Sequence, residues 1–425
     1  MIRFLKHKLV QDSLILGGVQ ISAYVLPMVT LPYLTRVLGP SNFGLLALGT
    51  ALVLYSAVVI EYGFAVTGTR RVAVAQGDLA RIWRVYSNVM ACKVTLTTVC
   101  FLLLAGVVWV VPKLHQHWPL YLISYLQAIG LCLSPNWLLQ GMQRMKLVAV
   151  SDYCGKILTV VLIFLLVRNS SDYLIAAALQ SGAFLIAAVL GLSVCAVALR
   201  MRLVAPSLRE MREYMIEGWP VFLSFASGNV MSSSNTMILG MMTTSEQVGF
   251  LNAASRLVVA SRSLVNPVAT AVYPHMSQLA SHSPADAIRF LKRRLFWTTA
   301  PFLIISLGML AFSPLAVRIL YGVHFQESAT LLRLMSPTPF IHALSMCFGT
   351  YFMLAFGHEK AWSKVILQSL VVNFVLIAVL MPFLLPARAI ALTTSLTDIF
   401  VMALCMRFFL RTASTVAVTP QNSVQ

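Results

Sequence analysis

Residues 247–273 read Gln247-Val248-Gly249-Phe250-Leu251-Asn252-Ala253-Ala254-Ser255-Arg256-Leu257-Val258-Val259-Ala260-Ser261-Arg262-Ser263-Leu264-Val265-Asn266-Pro267-Val268-Ala269-Thr270-Ala271-Val272-Tyr273. Two arginines and two asparagines, with several hydroxyl residues, interrupt an otherwise largely apolar run. Whether this stretch crosses a membrane decides the orientation of everything after it. At about 100° per residue, Arg262, Ser255, Asn266, Asn252, Thr270, Ser263 and Arg256 share an arc of about 120°, interrupted only by Val259. The opposite side, from Phe250 through Ala253, Leu257 and Val258 to Val268, is apolar apart from Ser261. The pattern is that of a membrane helix with one wet face.

The chain around it carries many longer apolar runs. Of its 425 residues, 59% are apolar and 10% charged, against about 45–50% and about 25% in soluble globular proteins; the mean hydropathy is +0.84. A soluble enzyme, a disordered chain and a water-soluble nucleic-acid-binding domain are excluded, although a net charge of +18 would hint at nucleic acid in a soluble protein. Twelve apolar segments fall at 14–35, 43–62, 87–111, 118–139, 148–167, 174–198, 215–240, 247–278, 296–317, 329–354, 363–385 and 389–410. Most exceed the ~20 residues a helix needs to cross ~30 Å of hydrocarbon, and they are too long for barrel strands.

Charge sorting then places the stretch at 247–278. Twenty-one of the 31 basic residues lie in alternate links, from Arg3, Lys6 and Lys8 through Arg70, Arg71, Arg81, Arg84, Arg144, Lys146, Arg200 and Arg289–Arg294 to Arg411; five (Arg36, Lys113, Arg168, Arg318, Arg388) lie in the others. Such a bias marks the basic links as cytoplasmic. Removing the eighth span would put every later link on the wrong side, so it spans. Both termini are expected in the cytoplasm, and Met1–Lys8 with the run that follows reads as an uncleaved first helix.

The longest cytoplasmic link, near 199–214, divides the chain into an N-terminal six-helix bundle (1–200), a linker (201–214), a C-terminal six-helix bundle (215–412) and a polar tail (413–425). A weak echo of Leu38–Leu45 at Thr243–Phe250 fits parallel repeats, a symmetry that transporters use with the substrate site at the repeat interface. The expected fold class is an all-α integral membrane protein.

Motifs for catalysis are missing. No HExxH, GxSxG or Walker loop occurs, the seven cysteines lack metal-ligand spacing and read as packing residues, and His115 and His117 read as interfacial. No enzyme activity, metal or cofactor is expected. Ionisable residues inside spans carry the functional signal, because a charge at mid-bilayer costs about 2.5–3.5 kcal/mol on insertion scales and so faces a partner or water. Lys93 and Arg333 sit a few residues inside their spans and read as snorkelling, with Arg333 also a candidate cavity cation. Asp152 and Lys156, four apart on span five, share a face and read as a mutually neutralising or a functional pair. Glu61 ends span two, either interfacial or paired with Arg70 or Arg71. Asp398 lies deep in span twelve. The candidate ligand-binding set is Asn252, Arg256, Arg262, Ser263, Asn266, Lys156 and Arg333; the candidate ion-coupling set is Asp398, Asp152 and Glu61. With the polar run Ser232–Thr236 of span seven, they make a net-positive interior suited to an anion such as phosphate.

Several ordered stretches resemble a known family: Leu31-Pro32-Tyr33-Leu34-Thr35-Arg36-Val37-Leu38-Gly39-Pro40-Ser41-Asn42-Phe43-Gly44, Glu61-Tyr62-Gly63-Phe64 with Thr69-Arg70-Arg71, Asn136-Trp137-Leu138-Leu139-Gln140-Gly141 with Met145-Lys146, Val221-Phe222-Leu223-Ser224, Tyr273-Pro274 and Leu320-Tyr321-Gly322. Over nearly its whole length the chain resembles the polysaccharide branch of the multidrug/oligosaccharidyl-lipid/polysaccharide exporter superfamily, in particular Wzx-type O-antigen flippases. Where the family often has Asp, this chain has Glu61. The resemblance implies two six-helix bundles facing each other in a V, with alternating access to a central cavity in a bacterial inner membrane. It implies an undecaprenyl-pyrophosphate-linked oligosaccharide as substrate, membrane lipids as surroundings, and a polysaccharide polymerase and a chain-length regulator as further partner candidates, with no nucleic acid. Competing readings are a drug/cation antiporter of the same superfamily, which would want acidic residues in the cavity; a membrane-embedded polymerase or ligase, which would want a large periplasmic loop; and a scaffolding subunit. On this reading Arg256→Ala and Arg262→Ala each cut export without lowering the amount of protein.

Overall fold

The computed structural model describes residues 2–198 and 201–418, with side chains described from 26 onward except at 27, 145–146, 198, 224–225, 227–232, 270–271 and 413–418. Arg3, Lys6, Lys8, Lys146, Arg200, Ser224, Ser232, Thr270 and the tail 413–425 therefore lie outside the described side chains. Among the described residues there is no strand, and each of the twelve segments is helical over most of its length. Among the described residues, eight helical stretches have the length and hydropathy to cross a membrane, spans one and two counting as a single stretch, Met28–Val74. Span eight falls short because of its polar stripe, and span ten because it is broken. Span seven includes side chains outside the described set.

The chain packs as two compact units, Met1–Glu246 and Gln247–Gln425. In the first, spans one and two run as Ile2–Glu61 with a break at Gly39, whose φ of 71° is available to glycine without a side-chain clash. The end of span two is sharper. Tyr62 (φ 41°) and Gly63 (φ 83°) are two successive left-handed residues, so the Glu61-Tyr62-Gly63-Phe64 motif is a corner that turns the chain into the helix Phe64–Val74. A β-carbon on Gly63 would come within 2.8 Å of Val221, so glycine is required twice over.

Span seven (Leu208–Met242) lies along span two for its whole length. Tyr62 stacks on Phe222 with centroids 4.9 Å apart, the hydroxyls of Tyr55 and Ser234 are 2.9 Å apart, and Gly240 leaves room for Leu48. Near its far end the Lys113 ammonium donates to the Thr243 carbonyl. This antiparallel pairing places span seven in the first unit, whereas the sequence reading groups it with spans eight to twelve.

Two spans are broken by proline. In span four, Leu126–Leu133 stops before Pro135 and the helix restarts as Asn136–Gly141. In span eight, Ser245–Ser263 gives way at Leu264 to Val265–His282, because the Pro267 ring lacks an N–H and crowds the Ser263 carbonyl. Span ten is divided into Gln326–Met335, Thr338–Phe348 and a π-helical turn Gly349–Leu354; Ser395 of span twelve donates to the Leu334 carbonyl at 2.6 Å beside the first break. Span six is capped by the short turn Ser170–Asp172. There the Asp172 carboxylate accepts the backbone N–H groups of Arg168 and Asn169, both at 2.9 Å, which holds its carboxyl below the usual range.

The charge distribution predicts the side on which each link emerges. Alkaline phosphatase fused after Ser245 is expected to be active, and fused after Pro284 inactive; the reverse at either site would sink the twelve-span topology.

Candidate functional site

In the second unit the site is built on span eight. Tyr321 donates to the Ala253 carbonyl and Ser328 to the Phe250 carbonyl, both at 3.0 Å. These bonds hold the back of the helix, where Val248, Leu251, Ala253, Ala254 and Val258 are buried. The opposite face is left uncovered: Arg256, Val259 and Asn266 are exposed, with Asn252, Ser255, Arg262 and Ser263 at its edges. The polar arc read from the sequence is therefore the open face up to the break at Leu264. Beyond it, Asn266 lies in the first turn of the next helix, Val265–His282, and keeps its exposure, but the single continuous helical phase does not hold.

The two arginines differ. The Arg256 guanidinium meets the Asn252 amide oxygen at a long 3.4 Å, one turn back, and no carboxylate among the described residues lies within ion-pair reach. Arg262 is ion-paired with Asp398 of span twelve, and both side chains are largely covered, 22% and 16% exposed. Thr393, Ser395 and Thr397 are buried on the same span. Asp398, expected as an ion-coupling carboxylate, is thus the partner of Arg262, and one positive charge of the expected cationic interior is neutralised. Arg333 is exposed, and its Nε donates to Ser313 Oγ at 3.0 Å.

In the first unit the structure corrects two readings of single residues. Lys93 does not snorkel. It is fully buried, and its ammonium donates to Glu61 Oε1 and to the Leu131 carbonyl, each at 2.9 Å. The second bond follows from span four: Pro135 has no N–H to give the carbonyl four residues back, so Leu131 would be an orphan acceptor without Lys93. Glu61 is accordingly paired with neither Arg70 nor Arg71. Asp152 and Lys156 also do not neutralise each other by direct contact: among the described residues they form no ion pair, and the Asn136 amide approaches both Asp152 carboxylate oxygens at 3.4 Å. Lys156 instead borders a cavity of about 120 Å³ with Asp152, Asn136 and Ser134. The sequence contained a signal for the Lys93 role, a proline four residues after Leu131 within a span, but not the identity of the donor.

A family model described as polysaccharide biosynthesis protein matches residues 9–280, well over half of the chain. The chain belongs to this family. Among its relatives is an Escherichia coli (strain K12) protein named "Putative O-antigen transporter", 29% identical over 404 residues that cover 95% of this chain and 97% of the relative. A Shigella dysenteriae protein of the same name is 26% identical over 365 residues, 85% and 90% of the two chains. Two solved structures share the fold at 13% identity. One is the lipid II flippase MurJ in an inward closed conformation, with a TM-score of 0.73 over 95% of this chain and 90% of that one. The other is an inward-facing multidrug resistance MATE transporter of the MOP superfamily, with 0.70 over 94% and 96%. The chain shares the fold of these two proteins and is an all-α multi-pass membrane protein.

Proposed function

We propose that the protein is a flippase. It moves an undecaprenyl-pyrophosphate-linked oligosaccharide, an O-antigen or similar repeat unit, from the cytoplasmic to the periplasmic leaflet of a bacterial inner membrane by alternating access, with both termini in the cytoplasm and two six-span repeats. The observation that carries this reading is the uncovered face of span eight, with Arg256 about 17 Å along the helix from its start at Ser245. Family membership and the names of the relatives support the substrate class. An unpaired guanidinium at that depth faces water or an anion, and its planar fork suits phosphate oxygens. The sugar and diphosphate would pass along polar side chains while the polyprenyl tail stays in lipid, which avoids dragging a hydrated headgroup through hydrocarbon. No covalent step is needed. Asn252, Ser263, Asn266, Lys156 and Arg333 are proposed as further contacts. Asp152 and Glu61 are proposed for ion coupling alongside Asp398; for Glu61 and Asp398 coupling would require their pairs to open. A polymerase and a chain-length regulator acting on the product are proposed partners.

Loss of the protein is expected to abolish long surface polysaccharide while the lipid-linked unit accumulates on the cytoplasmic leaflet. Arg256→Ala is expected to reproduce that accumulation at normal abundance, with Arg256→Lys restoring part of the export because it keeps the charge and loses the fork. Unpolymerised unit on the periplasmic side would overturn the flippase reading in favour of a polymerase.

A further inference from the structure

A second concentration of arginines lies at the end of the first unit that the charge distribution assigns to the cytoplasm. The helix Phe64–Val74 and the start of span three face the first turns of span seven across a cavity of about 760 Å³. One wall carries Arg70, Arg71, Arg81 and Arg84 with Asp78, whose carboxylate accepts the Arg81 backbone N–H at 3.0 Å; the other carries Glu210, Glu213 and Glu217. The volume is within the few hundred to about 1,000 Å³ typical of small-ligand sites.

The charges are not equally engaged. Arg71 is paired with Glu217, its Nη2 and Nε at 2.5 and 2.7 Å from the same carboxylate oxygen, and its guanidinium lies over the Tyr214 ring, 4.1 Å from the centroid. Glu210 accepts the Asn88 amide at 2.6 Å and stands 3.9 Å from Arg84. Glu213 is paired with Arg209 on its own helix at 3.3 Å. Arg70 and Arg81 are exposed, and among the described residues no carboxylate is within ion-pair reach of either. The wall thus offers two free guanidinium groups beside a third whose present partner is a singly charged, half-exposed carboxylate that engages it through one oxygen.

We propose that this basin is the receiving site for the diphosphate of the substrate at the cytoplasmic face, and that the diphosphate displaces Glu217 from Arg71. The inference rests on the flippase reading above. A diphosphate carries more charge than a carboxylate and more acceptor oxygens, so it can engage Arg71 together with Arg70 and Arg81, whereas Glu217 reaches Arg71 alone. Displacement removes the ion pair that ties the helix Phe64–Val74 to span seven. Arrival of substrate is thereby coupled to loosening of span seven at this end; the Tyr214 ring, itself on span seven, lies under the Arg71 guanidinium and aims it into the cavity before the pair opens. The ligand class is an organic or inorganic diphosphate, and the same chemistry could be met by a phospholipid headgroup.

The test uses the full-length purified protein in zwitterionic nanodiscs, titrated with inorganic pyrophosphate and with a short-chain polyprenyl-diphosphate sugar. Both are expected to bind. Glu217→Gln removes the competitor and is expected to tighten binding about ten-fold, while Arg70→Ala and Arg81→Ala each weaken it by a similar factor. Spin labels at Val74 and Ile216, both exposed, in a background with the exposed Cys154 replaced by serine, are expected to separate on ligand addition. Equal affinity in wild type and Glu217→Gln, or no change in label distance, overturns the proposal. So does competitive loss of pyrophosphate binding when phosphatidylglycerol is added to the nanodiscs, which would make the occupant a membrane lipid. If pyrophosphate fails to bind while deletion still accumulates lipid-linked unit on the cytoplasmic leaflet, the basin proposal alone fails and the flippase reading stands.

Discussion

Glu61→Ala is expected to reduce the folded protein in the membrane to a small fraction of wild type. The substitution leaves the fully buried Lys93 ammonium with the Leu131 carbonyl as its remaining partner. Removing one partner of a buried ion pair typically costs about 3–5 kcal/mol, because the stranded charge keeps its desolvation penalty. Glu61 is itself 36% exposed, so the lower end, about 3 kcal/mol, is the appropriate figure. Total stabilities are commonly only about 5–15 kcal/mol. Lys93→Met removes the buried charge but strands the Leu131 carbonyl, a loss of about 1–3 kcal/mol, so it is expected to be milder. Glu61→Ala combined with Lys93→Met is expected to recover abundance toward the Lys93→Met level. Fluorescence-detected size exclusion of a tagged protein reads all three. Wild-type abundance and melting temperature for Glu61→Ala would show that the pair does not hold the fold, and that Glu61 is free to open its pair as the proposed coupling role requires.

That pair marks a limit of what the sequence makes legible. Spans and the polar face of span eight follow from local properties: hydropathy and angular position within one helix. Each is encoded in neighbouring residues, and the open face at Arg256 falls where the periodicity puts it. Charge pairs between spans obey no spacing rule. Glu61 meets Lys93 across 32 positions, and Arg262 meets Asp398 only because spans eight and twelve pack together. Depth alone made Lys93 read as a snorkelling residue, whereas the orphan carbonyl created by Pro135 holds it inside. Pro267 was equally visible and ends the helix that carries Arg256 and Arg262, so the phase carried through to Asn266 was not a safe inference. The packing of span seven on span two rests on Gly63 and Gly240, small residues whose meaning depends on what approaches them.

The two arginines of span eight, equivalent on a helical wheel, are expected to separate sharply when each is replaced by alanine. Arg256 has no carboxylate partner among the described residues and is exposed, so its loss removes the proposed ligand contact and strands no charge. Arg262 is paired with Asp398 with both side chains largely covered. Arg262→Ala leaves a carboxylate, and Asp398→Ala a guanidinium, with its charge uncompensated inside the unit. Each is expected to cost about 3 kcal/mol or more and to lower abundance together with export. Replacing both, as Arg262→Met with Asp398→Leu, removes the two charges together and is expected to restore abundance, since well-packed apolar residues often match or exceed a buried pair in stability. Export by the restored double variant then separates structure from transport. Normal export would make the pair a fixture of the unit, leaving Arg256 as the anion contact of span eight. Abundant but inactive protein would mean that the pair must open during the cycle, with Asp398 free to bind a cation while Arg262 turns to the substrate. If Arg262→Ala accumulated at the wild-type level, the ion pair would carry no weight in folding and the two arginines would again be equivalent.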